Sequence, residues 1–90
     1  MGTALITIKL MPSSPEINLE EIKEKAKEIV EKGQGKNPRF EEEPIAFGLK
    51  ALMTSFELDE ELELEPIEEG LKNMENINSA QVTDMRRAFG

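Results

Sequence analysis

The sequence predicts an α+β fold in which four strands and two helices follow one another as β-α-β-β-α-β. Three observations carry that expectation. An alternating apolar run opens the chain, a helix with full start signals follows it, and the second half holds two strand patterns, a short helical stripe and a closing strand. Together they fit a four-stranded antiparallel sheet with two helices on one face, the ferredoxin-like split β-α-β arrangement.

Each element has its own local reason. From Thr3 to Met11 the residues alternate, with Ala4, Ile6, Ile8 and Leu10 on one side and Thr3, Thr7 and Lys9 on the other. That is a half-buried strand. Pro12-Ser13-Ser14-Pro15 stops it, because proline fixes φ and lacks a ladder donor. A helix over 18–32 follows, with Asn18 as N-cap, Glu21 as the return arm of a capping box, and Ile17 and Ile22 as a hydrophobic staple. Its apolar stripe is Leu19, Ile22, Ala26, Ile29 and Val30, and Gly33 is expected to end it in a left-handed turn.

The second half is less regular. Lys36 to Glu43, containing Phe40, predicts a short strand that stops before Pro44. Leu49 to Leu58 predicts a stronger one, with Leu52, Phe56 and Leu58 on one side. Leu49, Ala51 and Met53 make the other side apolar too, so both faces are expected to be covered, as in a central strand. The acidic stretch 57–65 fits either alternation or a helix entry. Pro66 suits a first helical position, and Ile67, Leu71 and Met74 form a short stripe behind it. Gly70 within that stripe costs about 1 kcal/mol relative to alanine. Asn76 to Asn78 predicts a turn, and Ala80 to Arg87 the final strand.

Composition narrows the function. Ninety residues are expected to form one domain, 1–90. With no cysteine and no histidine, thiolate catalysis, Cys-based zinc sites and the usual general base are unavailable. No apolar run approaches the roughly 20 residues of a spanning helix, and no leader pattern is seen, so a cytoplasmic protein without a membrane partner is expected. The formal charge of −8 disfavours direct nucleic-acid binding. It suits a basic protein partner through complementary fields, or serves solubility alone.

Motif tests exclude several chemistries. A calcium loop starting at Asp59 would need glycine where Leu64 stands and glutamate where Gly70 stands. Gly33-Gln34-Gly35-Lys36 lacks the spacing of a phosphate-binding loop and follows a helix. Four phenylalanines without tyrosine, tryptophan or a basic-aromatic strand do not make an RNA-stacking sheet. The loop after the first strand has no arginine for an acylphosphatase-like site. No catalytic residue, metal ligand or cofactor is therefore expected. What remains is Pro44-Ile45-Ala46-Phe47-Gly48-Leu49-Lys50, an apolar turn between two strands. Phe47 is either an exposed interface anchor or a core residue at a strand end.

Three blocks of the chain resemble one family. Ile8 to Pro15 with the capped helix at Asn18, Glu42 to Leu49, and Val82 to Arg87 resemble, in order, the start, central motif and closing strand of archaeal elongation factor 1-beta. The resemblance implies the ferredoxin-like fold and a guanine nucleotide exchange activity: release of GDP from the GTPase elongation factor 1-alpha so that GTP can rebind. It implies that partner and no bond chemistry; a monomer is expected. It also implies that the phenylalanine matching Phe47 inserts into the GTPase nucleotide-binding domain, with Ile45 and Lys50 beside it at the interface. Eukaryotic relatives carry a lysine near the C-terminus that disturbs the magnesium and phosphate site. This chain ends Arg86-Arg87-Ala88-Phe89-Gly90 instead, so Arg86 and Arg87 are the expected cationic contacts there. The alternative is a ferredoxin-like interaction or small-ligand regulatory domain without exchange activity.

Overall fold

In the computed structural model, which describes residues 2–89, the element order is β1 (Thr3–Pro12), α1 (Leu19–Lys32), β2 (Lys36–Ala46), β3 (Leu49–Asp59), α2 (Glu65–Lys72) and β4 (Ile77–Phe89). The strands form one antiparallel sheet in the order β2-β3-β1-β4. This is the ferredoxin-like α+β fold.

The pleat sorts side chains onto two faces. On one, Ile6, Ile8 and Leu10 of β1 lie beside Leu52, Phe56 and Leu58 of β3 and bury against Ile22, Ala26 and Val30 of α1 and Ile67 and Leu71 of α2. Thr54 lies in the same row, fully buried, and its hydroxyl has no hydrogen-bond partner among the described residues. The other face has no covering layer among the described residues. Leu5, Thr7, Met53 and Ser55 line it with Arg39, Glu41, Glu43 and Glu57 around an open cavity of about 500 Å³. β3 is central, as its apolar faces suggested, but only one of them is covered by helices. Ala51, opposite Glu43 of β2, is buried all the same, and Met53 stays half-exposed.

The caps differ in detail from expectation. The Asn18 carboxamide oxygen accepts from the Glu20 N–H at 2.9 Å, capping α1 without a return bond from Glu21 among the described residues. Gly33 keeps a negative φ, and the left-handed residue is Gln34 at φ 71°. Gly33 is needed for space: a Cβ there would run into the Ile67 side chain. Gly70 has the same explanation, since a Cβ would lie 2.8 Å from Cγ2 of Ile29 where the helices touch. α2 starts at Glu65, one residue before Pro66, and Leu64 provides no side-chain cap. β2 continues through Pro44, which an edge strand with a register irregularity tolerates. β4 is longer than expected at both ends, entering directly from Asn76 at φ 69°.

Candidate functional site: the hairpin tip

β2 and β3 close at the pair Ala46 and Leu49, leaving Phe47 and Gly48 as a two-residue loop. Both have positive φ, 54° and 79°, as a type I′ turn requires. Gly48 adopts this at no cost. For a bulky L-residue the left-handed region costs on the order of 1–2 kcal/mol. Phe47 bears that cost and buries nothing, because its side chain is 100% exposed. A core role is thereby excluded. Strain at an exposed apolar residue is the kind found at ligand-contacting sites.

The tip has further parts. Ile45 is 40% exposed beside the turn. Lys50 shares the helix-facing side of the hairpin with Glu42, and its Nζ lies 3.7 Å from Glu42 Oε1. The other Glu42 oxygen lies 3.4 Å from Lys23 Nζ on α1, which also reaches Glu20 at 3.2 Å. The hydrogen bond to Glu20, with Glu42 adding to it, holds the Lys23 ammonium above its ordinary range. Between the hairpin and α1 opens a cleft of about 410 Å³, lined in part by Pro12, Pro15, Leu19, Gly48 and Lys50.

Arg86 and Arg87 lie elsewhere. They stand opposite Leu5 and Ala4 of β1, whereas the turn lies beyond Leu10 and Leu52. At strand rise, the two groups are about 30 Å apart. As consecutive residues of a strand, the arginines point to opposite faces, and both are already paired. Arg86 Nε donates to Asp84 at 2.7 Å, and Arg87 donates twice to Glu60, each at 2.8 Å. These bonds from Arg87 hold the Glu60 carboxyl below its ordinary range. Ile45, Phe47 and Lys50 thus form one cluster and the arginines another. Sequence patterning missed Glu42 and Glu60 as partners of these cations. Alternation from Phe40 is the signal that could have put Glu42 on the helix side of β2, but nothing in the sequence ties Glu60 to Arg87 before the β1–β4 register is known.

Fold and tip together define a ferredoxin-like domain whose one fully exposed large apolar side chain, among the described residues, stands on a strained hairpin turn. Residues 5–88 match the EF-1 guanine nucleotide exchange domain. The chain is also 41% identical over 86 residues to elongation factor 1-beta of Methanococcus maripaludis, covering 94% of this chain and 97% of that protein. It is 42% identical over 89 residues to elongation factor 1-beta of Methanocaldococcus jannaschii, covering 98% and 100%. The Methanosphaera stadtmanae protein of the same name is 43% identical over 88 residues, covering 97% and 98%. The chain belongs to the elongation factor 1-beta family, whose role is nucleotide exchange.

Proposed function

We propose that this chain promotes GDP release and GTP reloading on elongation factor 1-alpha, with residues 1–90 acting as one exchange domain and one copy meeting one GTPase. Phe47 is the anchor that enters the nucleotide-binding domain of the GTPase, Ile45 extends the apolar contact, and Lys50 supplies a flanking charge. Arg86 and Arg87 provide a second, electrostatic contact from the far end. The observation that carries this reading is the left-handed, fully exposed Phe47 on a chain of this family.

No bond need be made or broken. A GTPase holds its nucleotide through magnesium and phosphate-facing groups. A partner that binds the nucleotide-free form more tightly weakens nucleotide affinity by the same factor, as linkage requires. A rigid aromatic ring at a preformed turn suits this, since little conformational freedom is lost when it docks. The nucleotide ratio then sets the direction. Labelled GDP preloaded on a cognate elongation factor 1-alpha should leave faster with catalytic amounts of this protein. A release rate unchanged across a range of concentrations of the folded protein would overturn the reading.

A further inference from the structure

The hairpin that carries Phe47 is a cantilever. On the β3 side, pairing with β1 ends at Leu10 and Leu52, and the register from Glu43–Ala51 to the turn rests on β2 and β3 alone. Across the cleft Gly48 faces Pro15 without a side chain to touch it. The restraint is Glu42, which stands opposite Leu52, at the last level that β1 supports. Its two oxygens face Lys23 of α1 and Lys50 of β3. Glu41 and Glu43 lie on the opposite face, so within this acidic run Glu42 alone bridges hairpin and helix.

We propose that Glu42 is a positioning residue: its carboxylate, held between Lys23 and Lys50, fixes the angle at which the hairpin presents Phe47. A rotation at the root is amplified along the arm, so a small loosening there spreads the turn over several ångströms. The three side chains are half-buried to exposed. Such pairs contribute little to global stability, and salt screens them. The consequence is therefore read in presentation, not in folding. If only part of the population holds the competent angle, apparent affinity for the partner falls by that fraction.

The role in exchange rests on the function proposed above, so the test has a second readout that does not. Glu42→Gln keeps the shape and removes the charge. Backbone order parameters of residues 46–49 should fall in this variant, while the melting temperature stays near that of the unaltered protein. In the exchange assay, KM for the GTPase should rise about threefold with little change in kcat. High salt should do the same to the unaltered protein and add little to the variant. Unchanged order parameters in Glu42→Gln would overturn the proposal, even if KM rises, because Glu42 would then touch the partner directly. Lost order with unchanged KM would overturn it too. If the unaltered protein shows no exchange at all, the exchange reading fails, and the order parameters alone still decide whether Glu42 holds the hairpin.

Discussion

Single residues here separate cleanly into those that hold the fold and those that burden it. Phe47 is of the second kind: its left-handed φ is strained and its ring buries nothing. Phe47→Asn, which tolerates that φ, should raise stability by about 1 kcal/mol, or about 4–8 °C in melting temperature. The same change should abolish the anchor and slow exchange. A melting temperature that falls would show that the ring is packed after all. Thr54 burdens the core differently, through a buried hydroxyl without a partner. Thr54→Val keeps the shape and should stabilise by about 1 kcal/mol, measured by denaturant unfolding. Glu60 titrates under the influence of Arg87. Its folded pKa is lowered from the ordinary 4.5, chiefly by the Arg87 hydrogen bonds. The pair therefore stabilises the fold above pH 4.5, and that contribution is lost as pH falls through the lowered value. Carboxyl NMR should find the Glu60 midpoint below 4.5, moving up toward that value in Arg87→Ala.

At the level of elements, legibility followed the density of local signals. β1 and α1 were readable almost to the residue, because alternation, N-cap and apolar stripe agreed within each segment. The ends of β2 and β4 were not. Pro44 is a strand breaker only where its missing N–H is needed, and β2 turns out to be an edge strand. That placement is a property of the sheet order and not of the segment. Glycines were misread for a related reason. Gly33 and Gly70 looked like a turn residue and a weak point, but both make room for a neighbour from the other helix, Ile67 and Ile29. Gly70→Ala accordingly tests tertiary packing against helix propensity. Propensity alone favours alanine by about 1 kcal/mol. The contact with Ile29 should reverse the sign, giving a net loss of about 1 kcal/mol. A stabilised Gly70→Ala would show that the helices separate freely at this point.

The whole molecule is long and narrow, 42 by 21 by 17 Å, with the strands running along it. That shape separates the two groups of candidate contacts. Patterning could mark an apolar turn and a basic tail as noteworthy. It could not show that the turn projects at one end while the arginines are ion-paired at the other, since only the register of β4 against β1 decides this. The pairing also lowers what the arginines are expected to do. Exposed cations held by Asp84 and Glu60 must exchange partners to reach the GTPase, and such contacts are weakened by salt. Arg86→Ala and Arg87→Ala, singly and together, should slow exchange modestly and mainly at low salt. Phe47 should behave otherwise. The most direct measurement is the rate of GDP release from cognate elongation factor 1-alpha with Phe47→Ala beside the unaltered protein, at matched concentrations and with melting temperatures taken in parallel. With Phe47→Ala the rate should fall by about tenfold or more, equivalent to about 1.4 kcal/mol, at an unchanged melting temperature. Release at the unaltered rate by a folded Phe47→Ala protein would contradict it.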